Sequence, residues 1–283
     1  MTAVIPINLD DVTLHKGAHP DDGDPPTCGK DTEACLMEWY NLLLGRRKTD
    51  SCPPGVSPVL HRFGMRLNDA LPDEKRQALK AFLPRAGEPS PLDGTAGDGL
   101  DETRRWMAVD WAVRVGAPIW LDAAGRTEFA AELRGLTPIR SREDRLAIRD
   151  RLWEIREACW AARREALNGV REGSAVADAV ADAVADAVAD ADADAVADAD
   201  ADADAVAVAD ADAVAVAVAD AVAVAVAVAD AVAAWGTKQW SETCNRVYAE
   251  VKAHIEATYA PVAEQVQDSA LQLFHAMVRP ATD

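Results

Sequence analysis

From residue 175 to residue 233 every odd-numbered position is alanine, and every even-numbered one is valine or aspartate. These 59 residues hold no glycine, proline, aromatic or basic side chain. A stretch in which each position has many equivalents cannot carry a specific catalytic constellation. It can contribute only length, charge or bulk surface. It also splits the chain into an ordinary N-terminal part, a monotonous middle and a short C-terminal part.

Two periodicities compete for this tract. As a strand, strict alternation places all alanines on one face and all valines and aspartates on the other. As a helix, half of its residues are the best helix former, and valine and aspartate each cost at most about 0.7 kcal/mol relative to alanine. Length decides between them, because strands run about 3–10 residues and nothing in the tract makes a turn. Gly173-Ser174 offers a break and a cap before it, and Gly236 follows it. The reading adopted is one long Ala-rich helix, about 90 Å at ~1.5 Å per residue. Disorder and a β arrangement are the alternatives.

On such a helix like positions drift by about 40° every four residues, so the valines spiral and no heptad seam forms. Asp190, Asp192 and Asp194 imitate the start of a calcium-binding EF-hand loop. Ala195 and Ala201, however, stand where that loop needs glycine and glutamate. Residues 221–229 are uncharged and β-tolerant, an aggregation hazard.

The 283-residue chain has a formal net charge of -19, and 14 of its carboxylates are the aspartates of the tract. The remainder is close to -5, which is ordinary. An acidic chain is repelled by phosphate backbones, which excludes direct nucleic-acid binding from the expected functions. A membrane span is excluded too. The Ala/Val run around Asp220 tempts a hydropathy reading, but a central aspartate costs roughly 2.5–3.5 kcal/mol on insertion, and each valine returns only about 0.3–0.6. Five cysteines, odd in number and widely spaced, with no secretory signal ahead of them, point to a reduced cytoplasmic protein.

Outside the tract the apolar residues recur at helical spacing. Asp31 is placed to cap a helix carrying Cys35, Leu36, Trp39, Leu42 and Leu43, which Gly45 ends. Ser57-Pro58 reads as a cap followed by proline at the first helical position, with Leu60, Phe63 and Leu67 following. Pro72 opens a further helix through Leu79 and Phe82, residues 88–101 read as loop, and residues 102–115 as helix. Ser141, with Asp144 three residues on, caps the longest ordinary helix. Its stripe of Ile148, Leu152, Ile155 and Cys159, with the adjoining row of Trp153, Trp160 and Leu167, calls for a partner surface. Beyond the tract, Trp240, Cys244, Val247, Val251 and Ile255 form another stripe, and Pro261 starts a last short helix. The expectation is an all-α protein. It has a small helical N-terminal domain (1–140), a long amphipathic helix (141–172), the repeat (173–234) and short C-terminal helices (235–283).

One cluster carries chemistry. His15, His19, Cys28, Cys35, Glu38 and Cys52 fall within 38 residues and are all zinc-ligand types. Cys35 and Glu38 are three apart on a helix face and His15 and His19 four apart, so the candidate metal ligands are His15, His19, Cys35 and Glu38. No paired Cys-x-x-Cys accompanies them. The plain alternative makes Cys35 core, Glu38 a surface or capping group, and the histidines loop residues. Nucleophile elbows, Walker loops and dinucleotide fingerprints are missing from the sequence. The tryptophans fall mostly within helical patterns and read as core.

Two resemblances bear on this reading. His19-Pro20-Asp21-Asp22 is similar to the zinc-binding motif of the N-acetylglucosamine deacetylases, but the strand that precedes that motif and the His-x-x-His that completes it have no counterpart here. Over residues 12–135 the order of short motifs resembles an uncharacterised family of actinobacterial and phage-encoded proteins with Ala-rich repeats toward the C-terminus. The motifs are Leu14-His15-x-Gly17-Ala18-His19, Cys35-x-Met37-Glu38, Ser57-Pro58-Val59-Leu60, Leu67-Asn68-Asp69, Asp98-Gly99-x-Asp101 and Asp110-Trp111-x-x-Arg114. Gly55 departs from it, since that family places a cysteine there. The resemblance implies a helical fold and no established activity.

The function expected is a non-enzymatic structural or interaction protein with an acidic helical spacer, no cofactor, and another protein as partner. The alternative is a zinc-binding domain or metal-dependent hydrolase built on His15, His19, Cys35 and Glu38. The sequence leaves the oligomeric state open.

Overall fold

The computed structural model describes residues 7–19, 32–85, 88–171 and 240–280; the side chains of 163–171, 240–256, 258 and 259 fall outside that description. The long-helix reading of the repeat lies outside the described residues, as does the Pro20-Asp21-Asp22 part of the deacetylase-like motif. Among the described residues every regular element is helical, and pairing between extended segments is limited to the single bridges Leu14 to Ala34 and Arg85 to Glu88. The fold is all-α. The chain groups into two units, Met1–Ala108 with Gln267–Asp283, and Val109–Val266. These units follow contacts, whereas the boundaries at 140, 172 and 234 follow residue type.

In the first unit, helix α1 spans Leu36–Leu43 and is buried on all sides, as expected of a helix apolar around most of its circumference. Its cap is Cys35, which corrects the start expected at Asp31, a residue outside the described set. At its other end Gly45, at φ 68°, donates its N–H to Leu42 O, and Arg46 donates to Asn41 O. This is the paired closure of a Schellman turn, and the left-handed residue it needs is the glycine read from sequence. Helix α2, Pro58–Ala70, starts as expected: Ser57 Oγ accepts the N–H groups of Val59 and Leu60. Arg76 closes its far end, donating to Asn68 O at 2.7 Å and Leu71 O at 2.6 Å. Past Pro72 the chain makes only one α-turn, α3 (Asp73–Arg76), and then tightens into a 3-10 segment, Gln77–Phe82.

The core of this unit is closed by the end of helix α8, Trp240–Val278, whose residues from Gln267 onward belong here. Ala270, Phe274, Met277 and Val278 are its buried side chains, spaced as one helical stripe. The Phe274 ring sits 4.5 Å from that of Phe82 and 5.8 Å from that of Phe63. Gly64 makes this approach workable, because a Cβ there would lie 3.0 Å from Phe274 Cζ and 3.1 Å from Met37 Cε. Helix α8 corrects the expectation of two short C-terminal helices and of a longest helix at Ser141. Pro261 lies inside its 39 residues. Proline in a helix interior costs about 3 kcal/mol, and continuous helical segments on both sides carry it.

The second unit begins within helix α4, Asp101–Trp111, which runs through a π-turn, Ala112–Gly116, into α5, Ala117–Ala123. The helix therefore continues beyond residue 115, where sequence reading ended it. Pro118 is the physical cause of the wide turn. It has no N–H for the carbonyl four residues back, and the ladder relaxes so that Ala117 N–H bonds Ala112 O five residues back. Gly125, at φ 69°, ends α5 with a second Schellman closure, Arg126 N–H to Leu121 O at 2.7 Å. Helix α6, Thr127–Arg134, follows, and then α7, Arg142–Arg171, capped by Ser141 and Asp144 as expected. Ile155 and Cys159 of the expected stripe are buried, but Trp153 is 57% exposed with the Arg156 guanidinium 4.9 Å above its ring. That corrects its placement in the buried row. Arg151 joins α7 to α6 through a two-pronged ion pair with Glu132, at 2.5 and 2.7 Å.

Replacing Phe274 by alanine removes the ring packed against Phe63 and Phe82 in a fully buried site. Urea denaturation should show a loss of about 3–5 kcal/mol. A loss under about 1 kcal/mol would contradict this packing.

Candidate functional site

The four sequence-predicted ligands do come together, at the start of α1. They are brought there by an extended strap, residues 12–19, laid across α1 and α2. Leu14 exchanges both of its backbone bonds with the Gln77 side-chain amide at 3.0 Å each. His15 N–H donates to Ala34 O, and His15 O accepts from Asn68 Nδ2 at 2.9 Å. Asn68 also accepts Leu36 N–H, so one buried amide ties the strap, α1 and α2 together. Gly17, at φ 84°, turns the strap so that its N–H meets Asp69 Oδ1 at 2.8 Å. The next bend delivers His19 onto Glu38.

Glu38 is buried, not a surface group, and its carboxylate is fully used by its neighbours. Oε1 accepts His19 N–H at 2.8 Å. Oε2 accepts Cys35 N–H at 2.7 Å and faces His19 Nδ1 at 2.9 Å. The Cys35–Glu38 pair is a capping box with the thiol in the place of the usual hydroxyl. Burial pushes the Cys35 thiol up to about 12, opposed by the Glu38 N–H and reinforced by the Glu38 charge. It is a protonated packing group at neutral pH, and thiolate is the reactive form. The rings of His15 and His19 lie edge to face, 5.9 Å between centroids. Among the described residues no group of three or more His, Cys, Asp and Glu side chains is placed to hold a metal ion.

A second polar cluster, invisible to motif reading, is centred on Arg104, whose side chain is completely buried. Its guanidinium meets Asp98 at 2.6 and 2.9 Å and Asp101 at 3.2 Å. It also donates to Thr95 O, and to Met277 O and Val278 O at the end of α8. Asp101 in turn bonds the hydroxyl of the buried cap Ser57. Nearby, Tyr40 Oη donates to Asp93 at 2.5 Å, and burial together with that carboxylate raises the phenol's pKa. The sequence signal for this cluster was Asp98-Gly99-x-Asp101, singled out only as a family-like motif; nothing in the pattern marked Arg104 as buried. Of the two further cysteines in that cluster, Cys28 lies outside the described residues, and Cys52 is exposed and faces the carbonyl oxygens of Pro53 and Val56.

Each hydroxyl, carboxylate and thiol of catalytic type in these two clusters is thus engaged in holding a turn, a cap or a helix end. Compared with protein-family models, curated proteins and solved structures, the chain has no match.

The Arg104 hydrogen bond holds the Asp98 carboxyl below its ordinary 3.8, against a smaller opposing effect of burial. A carboxyl with a lowered folded-state pKa stabilises fully above its unfolded value and loses that contribution as pH falls through the folded one. The stability difference between the native chain and Asp98→Asn, measured by urea denaturation, should therefore be full at pH 6 and shrink steadily below about pH 4. A difference that is constant between pH 6 and pH 3 would contradict the pairing.

Proposed function

We propose that this chain is a non-enzymatic structural or interaction protein, in which a helical module carries the acidic Ala/Val/Asp tract as a spacer and presents its charge to a basic protein partner. The observation that carries the reading is the saturation of the polar clusters: Glu38, Ser57, Asp98, Asp101 and Cys35 are spent on the fold's own bonds or buried in protonated form. The tract supplies the rest of the argument, with 14 carboxylates and no basic residue in 59 positions. Such a segment attracts cationic surfaces and repels nucleic acid.

A cytoplasmic setting suits this reading. Cys35, Cys52 and Cys159 are free thiols, and among the described residues no helix is long and apolar enough to cross a membrane. Attraction through exposed charge weakens as the Debye length falls from about 10 Å at 0.1 M salt to about 3 Å at 1 M.

Affinity capture from host lysate should compare the full chain with a variant lacking residues 175–233. The full chain is expected to retain basic proteins that elute as salt is raised, and the deletion variant to lose them. Recovery of the same proteins by both forms, or release that ignores salt, would overturn the proposal.

A further inference from the structure

Helix α7 is written in sevens. From Arg142 to Ala162 its sequence falls into the consecutive heptads REDRLAI, RDRLWEI and REACWAA. Each opens on an arginine followed by an acid, and each carries a large apolar residue at its fifth position: Leu146, Trp153 and Trp160. A helix packed on its own core needs apolar periodicity only on the side that meets that core. The inner stripe meets that need, and Ile155 and Cys159 of it are buried. The fifth positions lie on another face, where Trp153 is 57% and Leu146 42% exposed and Trp160 is half-buried. A seven-residue period kept on an outward face marks a helix that pairs with another helix, because it holds one seam in line over successive turns.

Charge of opposite sign borders the two edges of this seam. Residues three and four apart are neighbours on a helix surface. Arg149 and Arg156 therefore flank Trp153 on one side, and Asp150 and Glu157 flank it on the other. Arg142 and Glu143 continue the two edges past Leu146. Arg149 meets Asp150 at 2.9 Å with both side chains largely in water, and such a pair contributes little. Two copies of this pattern fit together in one direction only. In a parallel pair the twofold axis runs along the helices and brings the arginine edge of each copy against the acidic edge of the other. In an antiparallel pair the axis crosses the helices and sets arginine against arginine and acid against acid, which is repulsive.

We propose that α7 docks on a second copy of this chain as a parallel, in-register helix pair, in which Leu146, Trp153 and Trp160 each meet their own counterpart and the charged edges close over them. In that register each arginine stands level with the acid one position further along the other copy. Arg156 keeps its place over the Trp153 ring, and the loss of water there strengthens the contact. The pairing goes beyond the spacer reading and is independent of the acidic tract, whose charge is of one sign and repels its own copy.

Sedimentation equilibrium of the full-length chain tests this, and should give twice the 30.2 kDa of one copy. Trp153→Glu changes an exposed side chain, so helix content by circular dichroism should hold while the dimer dissociation constant rises about 30-fold or more. Arg149→Glu with Arg156→Glu makes both edges acidic, and Asp150→Arg with Glu157→Arg makes both basic. Each double variant alone should be monomeric, and an equimolar mixture of the two should dimerise. Leu146→Cys reports the register: under mild oxidation it should form a cross-linked dimer well beyond any formed by the native chain, because the register sets residue 146 against its own copy. A native chain that stays monomeric, a dimer that Trp153→Glu leaves intact, double variants that dimerise alone, or no gain of cross-linking at residue 146 would each overturn the pairing.

Discussion

The first unit depends on one buried guanidinium. Arg104 is enclosed completely, and every direction of its planar fork meets an acceptor: two aspartates on one side, the carbonyls of Thr95, Met277 and Val278 on the others. Burial alone works against its charge, yet the bonds to Asp98 and Asp101 outweigh that cost and leave the cation favoured. The last carbonyls of a helix carry partial negative charge and have no partner within the helix. A cation placed there satisfies both needs together, and it does so across 173 residues of sequence. The end of α8 is thus fastened to the loop between residues 93 and 101, and with it Phe274 is held among Phe63, Phe82 and Gly64.

The same solution recurs wherever this unit must hold irregular chain. Glu38 secures His19 and the cap of α1, Asn68 secures the strap and both neighbouring helices, and Arg76 secures the end of α2. Much of the unit is loop, and a loop lying against a core exposes backbone groups that water no longer reaches. Buried polar side chains with several bonds each meet that demand. This explains why residues of catalytic type are common in the unit while so few are free to react. It also explains why the His19 ring is held in one direction: it is oriented as a by-product of capping.

Local rules were legible from the residues alone. Ser57-Pro58, Ser141 with Asp144, and Gly45 mark ends of helices through contacts within four residues, and the structure places caps at each. The helical spacing of apolar side chains likewise established the all-α class. What escaped depends on partners distant in sequence. Cys35 displaced Asp31 as the cap because Glu38 could answer it, and the burial of Glu38 follows from His19 arriving from 19 residues away. Pro261 was read as a start because proline rarely sits inside a helix, but α8 continues through it. Trp153 was assigned to a buried row because periodicity shows which side chains share a face and not what covers that face. The burial of Arg104 gave no local sign, since apart from Asp101 its acceptors are a loop and a helix end 173 residues away.

The direct measurement of this account is hydrogen exchange of the amides between residues 270 and 278 in Arg104→Met, compared with the native chain. Removing one partner of a buried charge network costs about 3–5 kcal/mol, so protection there should fall by roughly 100-fold or more as the end of α8 opens. Native-like protection at those amides in the variant would contradict the central role of Arg104.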